Sequence, residues 1–133
     1  MSDSPTSIEN LGVAMFSVAS QDDAIAFYTE KLGFEIRSDV TFGESGDMRW
    51  VEVAPPGSTA RLALNEPMQG EPGGGMIGVE TREVLAEHAR LNEIGGIDLD
   101  PEPMQTPGAP LMFMLRDPDG NSIVVVESPE VRA

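Results

Sequence analysis

Apolar and polar positions along this chain change period several times, and each change marks an element. Leu11 to Val18 alternates with the two-residue period of a strand. Ser20-Gln21-Asp22-Asp23 follows, with Ser20 placed to cap a helix and Asp23 in capping-box position three residues on. Ala24, Ile25, Tyr28 and Leu32 recur at helical spacing, and Gly33 supplies a stop. Phe34 to Val40 reads as extended. Arg49 to Ala54 and Arg61 to Asn65 read as strands joined through the turn Pro55-Pro56-Gly57. After a Gly- and Pro-rich stretch the order returns. Met76 to Glu80 reads as a strand, Thr81 as the cap of a helix running to about Ile94, and Gly95-Gly96 as its stop. A short extended piece lies near Ile97 to Leu99, and Leu111 to Arg116 with Ser122 to Glu127 forms a final hairpin.

The sequence therefore reads as strand, helix, three strands, then the same again. Neither half is large enough to bury its own sheet face, so the two must share a core. The expectation is one domain spanning 1–133, with module one at about 10–65, a linker at 66–74 and module two at about 75–128. The fold class is α+β: two βαβββ modules with mixed sheets.

Composition narrows the function. Asp and Glu number 23 against 8 Lys and Arg, a formal net charge of −15. Such a surface repels phosphate backbones, which argues against nucleic acid, and draws cations. With no cysteine in 133 residues, disulfides and thiolate chemistry are excluded. MSDSPTSIEN has neither the basic nor the apolar region of a signal peptide, and no apolar run reaches the length of a membrane span. A cytoplasmic protein with no membrane partner is expected.

Two stretches carry a resemblance. Ala24-Ile25-Ala26-Phe27-Tyr28 with Lys31-Leu32-Gly33-Phe34, and Asp117-Pro118-Asp119-Gly120-Asn121 before an apolar strand, resemble the vicinal oxygen chelate superfamily. That group holds glyoxalase I, bleomycin-resistance proteins and extradiol dioxygenases. The resemblance runs from about Leu11 to Glu127. It implies paired modules whose sheets curve around a cleft, within a homodimer. Asp117 to Asn121 itself is turn chemistry, since Pro presets φ while Gly and Asn accept positive φ. It lacks the oxygen ligands of a calcium loop.

Alternation assigns each strand residue to a face. Phe16, Val18, Val51, Val53, Leu62, Leu64, Ile77, Val79, Ile123 and Val125 suit the helix-covered side. Val13, Met15, Ser17, Met48, Trp50, Glu52, Arg61, Ala63, Asn65, Met76, Gly78, Ser122, Val124 and Val126 then face the cleft, with Met112 and Met114. Of these, Met15, Met48, Trp50, Glu52, Arg61, Asn65, Met76, Met112 and Met114 are the candidate ligand-binding residues. Methionine suits an adaptable apolar pocket, and Trp50 offers a stacking surface. Glu52 and Arg61 are placed to face each other across a hairpin, which would make them a cross-strand ion pair.

Metal-dependent relatives place one His, Gln or Glu ligand on each of four cleft strands. Carried onto this chain, those positions fall on Val13, Ala63, Gly74 or Gly75, and Val124, none with a metal-binding side chain. No metal or other cofactor is expected. His88, the single histidine, falls among Val84, Leu85, Ala89 and Leu91 on a helix and reads as packed against a sheet. The leading functional reading is a metal-free binding protein that sequesters a cationic or aromatic small molecule, as bleomycin-resistance proteins do. The alternatives are a superfamily enzyme with an atypical site (lyase, dioxygenase or epimerase, with Glu52 as an acid/base group) and an interaction module whose methionines form a dimer seam.

Overall fold

The computed structural model describes residues 5–132. Strand β1 (Val13–Ser17) leads through Ser20 into helix α1 (Gln21–Ala26), and the Ser20 hydroxyl accepts the Asp23 amide at 3.1 Å. The helix does not stop at Ala26. It widens into a π-helical turn over Phe27–Lys31, where the Leu32 amide reaches back to the Phe27 carbonyl. A π turn rotates successive side chains less far apart than the α spacing demands. Here it lets the adjacent Phe27 and Tyr28 both turn inward, their rings edge to face at 5.1 Å.

Strands β2 (Glu35–Phe42), β3 (Met48–Ala54) and β4 (Arg61–Asn65) complete the first sheet, ordered β1-β4-β3-β2 with β1 and β4 parallel. The second half repeats the plan with β5 (Met76–Thr81), α2 (Val84–Ile94), β6 (Asp98–Leu99), β7 (Met112–Arg116) and β8 (Ser122–Glu127), ordered β5-β8-β7-β6 with β5 and β8 parallel. A short helix, α3 (Pro129–Arg132), follows. The architecture is α+β with two open four-stranded mixed sheets.

Several boundaries differ from the sequence reading: β1 starts at Val13 and β2 runs on to Phe42. Thr81 ends β5 rather than capping α2. The N-cap is Glu83, and the Thr81 hydroxyl accepts the Glu83 amide at 3.1 Å. Within α2 the buried stripe is Val84, His88 and Leu91, while Leu85 and Ala89 are exposed. Spacing i, i+4, i+7 defines that stripe.

Both sheets turn their helix-side faces into one core. Phe16, Val18, Val51, Val53, Leu62 and Leu64 from the first sheet join Phe113, Leu115, Ile123 and Val125 from the second, together with Tyr28 and Leu91 from the helices. Leu32, Phe34 and Pro55 of the first half stand across a small cavity from Leu115, Ile123 and Val125 of the second. The halves thus meet through their helix-bearing faces, where neither could bury its apolar surface alone.

The turn between β7 and β8 locks this arrangement. One Asp117 carboxyl oxygen accepts the amides of Asp119 and Asn121, each at 2.9 Å. The other accepts the Tyr28 hydroxyl at 2.9 Å and the Asn121 side-chain amide at 3.0 Å. All four partners are donors, which uses the full acceptor capacity of a carboxylate. Burial first, and then Asp117 beside it, hold the Tyr28 phenol far above its ordinary pKa, so it stays a donor. Asn121, fully buried, also reaches the Ser17 carbonyl at 3.1 Å and accepts the Gly75 amide at 2.9 Å. Asp-Pro-Asp-Gly-Asn is therefore a bend whose polar groups fasten β1, α1, β5 and β8 together.

Candidate functional site

Opposite the core, each sheet keeps a second face. On the first sheet it carries Met15 from β1, Arg61 and Ala63 from β4, and Met48, Trp50 and Glu52 from β3. Register adds three residues the sequence reading left unassigned: Ser38 opposite Glu52, Val40 opposite Trp50 and Phe42 opposite Met48. Met15 is 64% exposed, Met48 51%, Val40 51% and Phe42 43%. Ala63, flanked in register by Met15 and Glu52, is short enough to be fully buried beneath them.

The second sheet's open face has Met76 and Gly78 on β5, Ser122, Val124 and Val126 on β8, and Met112 and Met114 on β7. Met76 is 63% exposed. Met104, also missed in the sequence, pairs with Met112 through two backbone hydrogen bonds of 2.7 and 3.1 Å and extends this face. Exposed methionines on both open faces contrast with the closed packing behind them. Contiguous apolar exposure of this kind marks a surface that meets something.

One polar cluster interrupts the apolar face. The Trp50 indole N–H donates to Glu52 Oε2 at 2.9 Å, and Arg61 Nε donates to Glu52 Oε1 at 2.8 Å. Trp50 and Glu52 are two apart on β3 and so share a face. Glu52 is the buried partner, its side chain 12% exposed against 38% for Arg61. The carboxylate thus fixes the indole plane and the guanidinium at once.

Asn65 is drawn into structure instead. Its amide oxygen accepts the Gln21 side-chain amide at 3.0 Å and the Val51 backbone amide at 3.2 Å, where the β3–β4 ladder ends. Gln21, buried at the start of α1, also bonds the Leu64 carbonyl at 3.0 Å. His88 lies behind the second sheet, Nε2 2.7 Å from the Asp100 carbonyl oxygen and its ring edge to face with Phe113 at 5.0 Å. It is packed and remote from the open faces.

The positions at which metal-dependent relatives hold their ligands do not fit a metal here. Val13, Ala63 and Val124 have no donor atoms. At Gly75 a Cβ would stand 2.6 Å from the Phe16 ring and 3.0 Å from Asn121 Oδ1, so any side chain there collides with the core. Among the described residues no three His, Cys, Asp or Glu side chains are grouped to hold an ion.

A groove of about 790 Å³ runs along the seam between the halves. Ala14, Phe34 and Pro55 line it from the first half and Ile77, Gly78 and Val126 from the second, with Arg61 opening onto it. None of the described helices is long and apolar enough to cross a membrane.

Known proteins share this plan. TnmS3, an antibiotic-binding protein from Streptomyces sp. CB03234, is 33% identical, with 92% of this chain and 98% of that chain covered and a TM-score of 0.79. A glyoxalase/bleomycin resistance protein/dioxygenase superfamily member from Sphaerobacter thermophilus DSM 20745 is 31% identical over 91% of this chain and 98% of its own, also at a TM-score of 0.79. The uncharacterized protein YetH of Bacillus subtilis (strain 168) is 29% identical over 123 residues, 90% of this chain and 99% of that one. Residues 10–125 match the family model that describes the same group. With the βαβββ repeat, the parallel β1–β4 and β5–β8 pairs and the Asp117 turn joining them, the chain belongs to the Glyoxalase/Bleomycin resistance protein/Dioxygenase superfamily.

Proposed function

We propose that this protein binds and sequesters a small aromatic molecule, an antibiotic or a metabolite of similar shape, without turning it over. The observation that carries this reading is the apolar open face around Trp50, left out of a core that is otherwise closed. Methionines conform to a flat ligand, and the indole presents its face because its N–H is already spent on Glu52. The likeness to TnmS3, an antibiotic-binding protein, favours the same class of task. The cleft is completed in a homodimer, module one of one protomer lying opposite module two of its partner, because within one chain the halves meet through the opposite faces.

The same geometry weakens two alternatives. As an acid/base group Glu52 would act with one donor already on each oxygen, which takes half of its acceptor capacity. As the anchor of a cationic group it is offset by Arg61, although the net charge of −15 still concentrates cations near the surface. The test uses 2-naphthamide, a neutral aromatic probe. Binding should quench Trp50, the only tryptophan, and calorimetry on Trp50→Ala should show affinity lowered by about tenfold, the effect of losing a stacking contact of about 1.5 kcal/mol. Unchanged affinity in Trp50→Ala would place the pocket elsewhere.

A further inference from the structure

We propose that Arg61 is the polar anchor of the cleft and that it selects aromatic ligands bearing an anionic oxygen, a carboxylate or a phenolate. The proposal rests on the reading of the Trp50 face as a ligand site. It reverses the ligand charge that the acidic composition suggests.

A guanidinium has five N–H donors in a planar fork. The arginines of this chain differ in how they spend them. Arg37 places its two Nη nitrogens on the carbonyls of Ser58 and Pro55 at 2.8 and 2.9 Å. Arg49 divides its own between Asp22 and Asp39, and Arg116 between Asp98 and Asp100. Arg61 gives only Nε to Glu52, and among the described residues no acceptor engages its Nη1 or Nη2. Those nitrogens carry four N–H groups on a side chain that is 38% exposed.

Two features border that edge. Gly12 lies beside it, with a Cβ there standing 3.9 Å from Arg61 Nη2, and the Arg61 backbone amide bonds the Gly12 carbonyl at 2.9 Å. Arg61 lines the seam groove, whose other wall holds Gly78 and Val126. Glu52 holds the guanidinium from behind, so little rotamer freedom is left to lose when a ligand arrives. A carboxylate meets two parallel N–H groups in the bidentate geometry that an arginine fork favours. Trp50 is tied to the same Glu52, so the stacking surface and the oxygen anchor are set at a fixed separation by one carboxylate. That arrangement reads a ligand by its ring and its oxygen together.

Three probes with one aromatic body serve: 2-naphthoate, neutral 2-naphthamide and 2-naphthylmethylammonium, titrated against Trp50 emission and by calorimetry at 0.15 M salt, where long-range repulsion is screened beyond about 8 Å. The expected result is naphthoate binding at least tenfold tighter than naphthamide, with the ammonium weakest. Arg61→Gln should erase the naphthoate preference, lowering naphthoate affinity at least tenfold and naphthamide affinity much less. Arg61→Lys, which keeps the charge but not the fork, should recover only part of it. Glu52→Gln, which offers an acceptor to only one of the two donors, should loosen the fork and the indole together and weaken naphthoate binding. Thermal melting of each variant separates these effects from unfolding. Naphthoate and naphthamide binding equally, or the ammonium binding best, would overturn the Arg61 assignment while leaving the aromatic cleft intact. No quenching by any of the three would remove the cleft itself, and the anchor with it.

Discussion

Tyr28 shows how much a single side chain does in this chain. Its hydroxyl, buried in the core, donates to Asp117 across 89 positions of sequence. The bond is charge-assisted, and Asp117 has nothing to replace it with apart from the donors it already holds. Tyr28→Phe should lower stability by about 1.5–3 kcal/mol, the usual worth of a hydrogen bond to a charged group, as read from urea denaturation. Ligand affinity should be unchanged, because Tyr28 is on the core side. At this scale the alternation of the strands was informative: Trp50, Glu52 and Arg61 fall on one face because a strand's side-chain period is fixed at two. Their mutual bonds were not legible beyond the facing of Glu52 and Arg61, and the open Nη edge of Arg61 was invisible, since an unused donor leaves no pattern. Gln21, Asn65 and Asn121 were misjudged or overlooked for a related reason. A buried amide is recognised by its partners, and those partners lie tens of residues away.

Elements divide by how firmly they are buried on one side. Strands with one face in the core announced themselves. Strand β2 was read as extended only to Val40 and without a face, because it is an edge strand with Ile36, Val40 and Phe42 all substantially exposed, so neither face imposes a clean pattern. Val40 and Phe42 consequently went unassigned although they flank Trp50 and Met48. The helix α1 was legible in its start and stop, but its π turn was not, since the burial of both Phe27 and Tyr28 depends on what the second half offers them. The start of β5 gives a clean test at this scale. Gly75 lies against Phe16, whereas a Cβ at Gly78, three residues on, meets nothing within 4 Å. Gly75→Ala should cost about 1–3 kcal/mol through overpacking, and Gly78→Ala should be close to neutral, both measured by chemical denaturation.

The whole molecule has its two halves joined through their helix-bearing faces, with the methionine faces left open. If a second protomer closes the cleft, binding and assembly are linked. Naphthamide affinity should weaken on dilution in step with the dimer-to-monomer shift seen by sedimentation velocity. Affinity that stays constant across that shift would show that one chain suffices. Charge acts at this scale as well. Arg37, Arg49, Arg61, Arg82, Arg90 and Arg116 are each held by at least one carboxylate, and Lys31 reaches the Gly95 carbonyl at 3.1 Å, so the excess acidity acts as a surface field.

The sequence by itself determined the repeated strand–helix–three-strand order, the face on which each central strand residue lies and the turn at Asp117. All of these follow from local periodicity, turn chemistry or residue identity, which need no knowledge of distant contacts. Only the tertiary structure decided that the shared core joins the helix-bearing faces of both sheets, that Asn65 is spent on the backbone and Gln21, that Glu52 is engaged at both oxygens, and that Arg61 gives only Nε to a partner. Those outcomes depend on which groups satisfy one another across the chain, because a buried donor or acceptor takes the partner that folding brings within about 3 Å, wherever in the sequence that partner lies.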